Sequence, residues 1–281
     1  MRPLRERIKV CVILIVISVL PNFLVTPAAH DGEVIKIGGV GSALGTMKIL
    51  ASAFARSHPG TKVVVLPSIG TKGALKAVPD GAIDIGLLGV SFRKDEVAAG
   101  TIVTEYARTP FVFVTRKDIE KKGLTTEEVA RIYRGDMQRW PGGERIRVIL
   151  RRLDDADNLI LKGLSPAVKN ALEVLFSERG HLFAITDQDN LDLIEKTPGS
   201  LGYTTLTQVI AEKRRVKILS LDRVFPSVET LATGSYSLSK TLSIMTKQRP
   251  SGKVLSFLNF VMSEEGAKIL KDNGNMVIRN K

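Results

Sequence analysis

The chain has 281 residues, 44% of them hydrophobic and 25% charged. That balance excludes a disordered or fibrous protein and fits one large or two modest folded domains. One cysteine and three histidines leave little material for a disulfide framework, a zinc site or a histidine-based triad, and the meaning of the +12 net charge depends on where the charges lie.

The first 29 residues differ from the rest. Arg2, Arg5, Arg7 and Lys9 precede an apolar run over 10–20 that only Ser18 interrupts, Pro21 breaks it, and Thr26-Pro27-Ala28-Ala29 supplies small residues. A basic start, a short apolar core and a small-residue end predict a secretory signal peptide over 1–29, cleaved after Ala28 or Ala29. The competing reading is a retained anchor extending to Val25, because a span needs about 20 apolar residues. Cleavage would remove Cys11, leave a cysteine-free chain suited to an oxidising compartment such as the periplasm, and lower the net charge from +12 to +9.

From residue 33 short apolar strands alternate with amphipathic helices. A strand is expected over 34–38, then a glycine turn over 38–42. A helix over 44–57 follows, with Leu44, Met47, Leu50, Ala51 and Phe54 on one face. A strand over 62–66, the turn Gly70-Thr71-Lys72-Gly73, a short helix over 74–78 and a strand over 83–88 complete this unit. Continuously apolar strands separated by helices predict a parallel sheet covered on both faces, with helix N-termini at its carboxyl edge, where such folds bind ligands.

Further on, 109–115 (TPFVFVT) reads as a strand. Thr125 and Glu128 fit a capping box opening a helix that ends near Gly135. A second parallel unit begins with a strand over 146–150, an acidic turn over 154–158 and a helix over 165–179. Strands over 181–185, 202–205 and 216–221 follow, with Thr186–Asn190 capping a helix between the first two. A single helix over 253–270 is expected near the end. Two similar α/β lobes joined by extended crossings are the economical architecture.

Motifs for chemistry are sparse. Gly70-Thr71-Lys72-Gly73 lacks the spacing of a nucleotide phosphate loop, and Gly39-Val40-Gly41-Ser42 lacks the flanks of a nucleophile elbow. His30, His58 and His181 have no metal-ligand spacing. Lys213-Arg214-Arg215 is the one tight basic cluster after the leader, and 5% aromatics give no stacking platform, so no nucleic-acid partner is expected. No metal and no cofactor are expected. The turns at strand ends remain. Ser42, Thr71, Gly73 and adjacent backbone N–H groups can converge on an anion or polar ligand, and they can equally be ordinary helix starts.

Five phrases carry a family resemblance. They are Ser68-Ile69-Gly70-Thr71-Lys72-Gly73-Ala74-Leu75-Lys76 with Gly81-Ala82-Ile83-Asp84-Ile85-Gly86; Leu124 to Gly135 leading to Trp140; Pro198-Gly199-Ser200-Leu201-Gly202-Tyr203; and Gly234-Ser235-Tyr236-Ser237-Leu238-Ser239-Lys240. Their order over most of 34–278 resembles the phosphate-binding branch of the periplasmic solute-binding proteins of ABC importers, the type II kind. The resemblance implies two doubly wound α/β lobes joined by a two-crossing hinge. Lobe 1 is expected over 33–113 plus 237–281 and lobe 2 over 114–236.

It also implies a non-enzymatic receptor, a monomer, that takes phosphate or a related oxyanion and presents it to a membrane ABC permease or sensor. Gly41, Ser42, Ala43, Thr71, Lys72 and Gly73 would grip from lobe 1, and Arg152, Asp155, Asp157 and Asn158 from lobe 2. Two departures stand out. The family's specificity aspartate falls at Gly89, and its Ser-Gly-Thr donors become Ala156-Asp157-Asn158 beside Asp154 and Asp155. Carboxylates repel an anion unless paired. The alternative is therefore a sensory or interaction domain, not coupled to transport. It would read an amine- or hydroxyl-bearing ligand through Asp155 and Asp157, joined by Asp187 and Asn190.

Overall fold

The computed structural model describes residues 34–92, 96–178 and 180–278; the expected leader over 1–29 lies outside them. The first unit runs β1 (Val34–Gly39), α1 (Gly41–Ser57), β2 (Lys62–Val65), α2 (Gly70–Ala77) and β3 (Ile85–Leu88), with β1 parallel to both β2 and β3. Then β4 (Thr101–Arg116) crosses the molecule. The second unit comprises β5 (Gly123–Leu124), α3 (Thr126–Tyr133), β6 (Arg147–Arg151), α4 (Asp157–Lys162), α5 (Pro166–Ser177), β7 (Leu182–Ala184), α6 (Asp187–Lys196) and β8 (Ser200–Thr205). It continues through α7 (Leu206–Ala211), β9 (Val216–Ile218), β10 (Ser220–Leu221) and α8 (Val228–Ala232). The chain returns along β11 (Ser239–Lys247) and ends with α9 (Gly252–Met262), α10 (Glu264–Asp272) and β12 (Met276–Val277).

Among the described residues one ten-stranded sheet runs β2-β1-β3-β11-β4-β8-β6-β7, with β9 and β12 also on β4. Its two ends are parallel, as expected, and antiparallel crossings join them: β11 pairs antiparallel with β3 and β4, and β4 with β8. The expected strand over 109–115 is only the second half of β4. Residues 101–110 pair with β11 and 111–115 with β8, so the change of partner falls at Pro110. Proline has no N–H to give a ladder, which suits it to the point where one ladder ends and the next begins.

Each half of the sheet is covered on both faces, which is what continuously apolar strands require. In the first half Ile35, Ile37, Leu50, Phe54 and Phe257 pack together on one face, and Ala74, Val78, Leu88 and Met245 on the other. In the second half Phe113, Tyr133, Trp140, Leu150 and Leu172 face one way, and Val112, Ile149, Leu191 and Ile194 the other. Each fully buried side chain of this size contributes roughly 1.5–3 kcal/mol.

Four expectations are corrected. The helix expected over 74–78 already begins at Gly70, so the presumed turn over 70–73 is the first turn of α2. Helix α1 begins at Gly41, so the presumed glycine turn is already helical at its end. The single helix over 253–270 is two helices, because Ser263 is extended, ends α9 and caps α10 by accepting from Gly266 N at 3.1 Å. The strand over 216–221 divides at Leu219 into β9 on β4 and β10 on β5. The capping box on α3 is present as expected, with Thr125 and Glu128 bonded reciprocally.

Candidate ligand-binding site

The carboxyl ends of β1 and β7 bring two helix starts, those of α1 and α6, towards each other. Helix α1 starts two residues after β1 and has no side-chain cap, so its first turn leaves N–H groups and a positive dipole end for another partner. Gly41, Ser42 and Ala43 are buried there, and the Ser42 hydroxyl has no hydrogen-bond partner. The partner facing this turn is the start of α6. A Cβ on Gly41 would lie 2.6 Å from Asp187 Oδ2, and Gln188 Nε2 donates to Gly41 O at 3.0 Å.

Arg151, the last residue of β6, points into the same region. Its Nε and Nη2 donate to Asp155 Oδ2 at 3.0 and 2.6 Å, and Nη2 stands 4.0 Å from Asp187 Oδ2. Its Nη1 is buried without a partner. Burial works against the guanidinium charge, but Asp187, Asp155 and Asp157 outweigh it and hold its pKa above the ordinary arginine value. From the return strand β11, buried Lys240 places Nζ 2.5 Å from Asp157 Oδ1 and 4.0 Å from Asp187 Oδ1. Burial and the neighbouring Asp187 and Asp155 carboxylates push Asp157 up to about 6 against the pull of Lys240. Five ionisable groups therefore meet in one buried cluster, two cations and three carboxylates.

The residues expected from the sequence are brought together only in part. Asp155 and Asp157 belong to the cluster. Asn158 is bound up in the turn itself: its Nδ2 donates to Arg152 O and Leu153 O, and its Oδ1 accepts from the Tyr203 hydroxyl. Thr71 Oγ1 accepts from Gly89 N at 3.1 Å. Gly73 is tight against Ile69, where a Cβ would come within 2.9 Å. Lys72 is exposed and pairs with Asp154 at 2.8 Å. Arg152 is 63% exposed and pairs with Asp154 at 3.2 Å, outside the buried cluster. The buried arginine is its neighbour Arg151, because the last β6 residue still hydrogen-bonds through its N–H to the Tyr203 hydroxyl while the chain turns outward after it.

Lys240 and Arg151 are the groups that sequence reasoning missed. The available signal was Lys240 as the one charged residue of the stretch Leu238-Ser239-Lys240-Thr241-Leu242-Ser243-Ile244, since a charge inside a strand is seldom buried unless paired. At Gly89, where no carboxylate stands, the absent side chain leaves room for Lys240: a Cβ there would lie 2.6 Å from Lys240 Cε. Elsewhere, His58 stacks on Phe54 and His181 pairs with Glu178, while Arg214 in the basic cluster is tied to Asp192 and Glu195. Among the described residues no group of three His, Cys, Asp or Glu could hold a metal ion.

Comparison with known proteins follows the same line. Residues 26–265 match the family described as PBP superfamily domain. The phosphate-binding protein PstS of Borreliella burgdorferi is 25% identical over 280 residues, covering 95% of this chain and 99% of that one. PstS of Bacillus subtilis is 27% identical over 235 residues, covering 80% and 75%. A substrate-binding protein from Clostridium perfringens, solved with bound phosphate, superimposes with a TM-score of 0.73 at 21% identity over 88% of this chain and all of that one. At that identity the superposition speaks for the fold.

Proposed function

The chain belongs to the PBP superfamily, and from that premise we propose that it is an exported solute-binding protein that captures phosphate or a related oxyanion and presents it to an ABC importer. One observation carries the anion reading. Two buried donors, Ser42 Oγ on α1 and Arg151 Nη1 on β6, lack partners, and Asp187 lies against both elements. Buried donors left unmade are costly, and an oxyanion held by a helix N-terminus and a guanidinium supplies the missing acceptors. The PstS proteins of B. burgdorferi and B. subtilis, named for phosphate binding, support the ligand class.

The lobes would comprise 33–113 plus 237–281 and 114–236, and the crossings β4 and β11 would form the hinge. Opening would carry α4 and α6 away from α1, withdraw Asp187 from Gly41 and admit the ligand; closure would then replace water by fixed donors. Lobe 1 would grip through Gly41–Ala43, with Thr71 setting the loop at Gly89. Lobe 2 would grip through Arg151, with Asp155 and Asp157 holding the cations. Arg152 and Lys72 would then serve the rim, where both pair with Asp154. The role is that of a receptor without a catalytic step. A signal peptide over 1–29 and a periplasmic location complete the reading; among the described residues no helix is long and apolar enough to cross a membrane.

The excess of carboxylates favours one second reading, a ligand bearing an amine or hydroxyls. Calorimetric titration of the mature protein with phosphate, sulfate, arsenate and molybdate, and with small amino acids and sugars in parallel, separates the two. Saturable binding of an oxyanion is the expected result. Binding only of an amine or sugar would replace the anion reading. Trp140 is a poor reporter for this purpose, because it is buried in the second-half core with its Nε1–H donating to Gly199 O.

A further inference from the structure

With all five groups ionised, the cluster of Arg151, Lys240, Asp155, Asp157 and Asp187 carries one net negative charge. An oxyanion entering beside it adds one or two more in a region sheltered from water, where like charges interact strongly. Something in the cluster must give up a negative charge for binding to be favourable.

The geometry singles out one pair. Lys240 comes from β11, threads past Gly89 and Val40, and ends against Asp157 on α4. It therefore spans from the strand-end turns of the first half of the sheet to the acidic turn of the second. Asp157 is faced by Lys240 from β11, by Asp187 from α6, by Arg151 at the end of β6, by Asp155 in the turn after it, and by Tyr203 of β8. Behind Asp187, Gln188 connects to Glu212, whose own pKa burial raises. Asp155 accepts two hydrogen bonds from Arg151 through Oδ2 and one from Asp157 N through Oδ1, so both its oxygens are engaged. Asp157 has one cation in direct contact, Lys240, and carboxylate neighbours in Asp187 and Asp155.

Resting on the oxyanion reading above, we propose that Lys240 is a specificity-determining group of the cleft, an ammonium that leaves Asp157 for the incoming oxyanion while Asp157 takes up a proton from solvent. No covalent bond forms or breaks. The ammonium exchanges one oxygen partner for another, and the proton neutralises the carboxylate left behind. Capture is then proton-linked through the protein and prefers oxyanions that accept from a cation at that position. The rise of the Asp157 pKa to about 6 even with Lys240 in place is consistent with this, since loss of its cation raises it further.

The test is calorimetric titration of wild type and Asp157→Asn with inorganic phosphate at several pH values from 5.5 to 8.5. Each titration is run in two buffers of different ionisation enthalpy. Phosphate's own protons are common to both proteins, so the difference in protons taken up belongs to Asp157. The expected result at pH 7–8 is about one additional proton per phosphate in wild type, with its affinity falling about tenfold per pH unit relative to the variant. A second measurement needs no variant: phosphate added to wild type at pH 7.5 produces a protonated-carboxyl band in the difference infrared spectrum. Phosphate binding with equal proton counts, or without the carboxyl band, overturns the proton-linked exchange and leaves the oxyanion receptor standing. Failure of wild type to bind any of phosphate, sulfate, arsenate and molybdate at every pH removes both.

Discussion

The Asp187 carboxylate covers Gly41, the first residue of α1, so closely that a single added methyl would collide with it. A helix N-terminus attracts negative charge, and here the charge comes from the protein's own α6. Gln188 fastens the same contact by donating to Gly41 O and to Glu212 Oε1. The two helix starts that approach each other are thus held by one carboxylate and one amide, in the place where an external anion would find the same backbone groups.

Replacing Gly41 by alanine tests that closeness. The new Cβ would meet Asp187 Oδ2 and Gln188 Oε1 at 2.6 Å and Asp187 Cβ at 2.9 Å, so α6 must move away from α1. Alanine is the better helix former, which offsets part of the loss in the folded state. The expected outcome is a phosphate affinity reduced about tenfold or more, roughly 1.4 kcal/mol, with only a small change in urea midpoint. Unchanged affinity would show that α6 does not have to close on α1 to hold ligand.

Neighbouring arginines should behave differently. Arg151→Lys keeps the charge but loses the planar fork that engages Asp155 through Nε and Nη2 while leaving Nη1 free for a ligand. Its phosphate affinity should fall at least about tenfold, because a charge-assisted hydrogen bond of about 1.5–3 kcal/mol is lost. Arg152→Ala removes an exposed side chain paired only with exposed Asp154 and should leave affinity within about threefold, as surface pairs contribute little. The reverse order of effects, read by calorimetry, would reassign the anion-pairing role to Arg152.

Periodicity made the helices and the parallel strands legible, because burial on one face or both is written into residue spacing. The site was legible only by neighbourhood. The acidic turn over 154–158 and the start of α1 were visible, whereas the choice of Arg151 over Arg152 depends on where β6 stops and the chain turns, a one-residue matter that spacing does not encode. Lys240 lies 83 positions beyond Asp157, and only the β11 crossing brings them into contact. The helix break at Ser263 has a local signal, a serine three residues before Gly266, hidden by the apolar pattern that runs through it.

The stability of the unliganded protein should report Asp157 through pH. A carboxyl whose folded-state pKa is raised from about 3.8 to about 6 binds its proton more tightly in the folded than in the unfolded chain. Its contribution is therefore fully present below pH 4 and is lost as pH rises through 6, by about 3 kcal/mol for a shift of this size. Carboxyls with lowered values, Asp118 and Glu128 among them, slope the other way but are shared with Asp157→Asn. Urea unfolding of both proteins from pH 4 to 7.5 should show the variant gaining on wild type as pH rises. A flat or opposite difference would mean that Lys240 fully compensates the burial of Asp157.

Gly39 positions the start of α1, and its substitution separates two kinds of glycine. It ends β1 at φ +147°, and a Cβ there would lie 2.1 Å from Leu87 O, the atom that accepts from Val40 N at 2.8 Å. Its own carbonyl accepts from Ile69 N and from the Ser68 hydroxyl. Alanine must therefore push β3 away and disturb the bond that sets Val40 before the helix, at a cost of about 3 kcal/mol or more. Gly70, at φ +67° with open space around it, bears only the left-handed penalty of about 1–2 kcal/mol. Urea midpoints should rank wild type, Gly70→Ala and Gly39→Ala in that order. Equal losses would mean that β1 and β3 can part at Leu87 without consequence, and that the start of α1 is held by something other than the Val40–Leu87 bond.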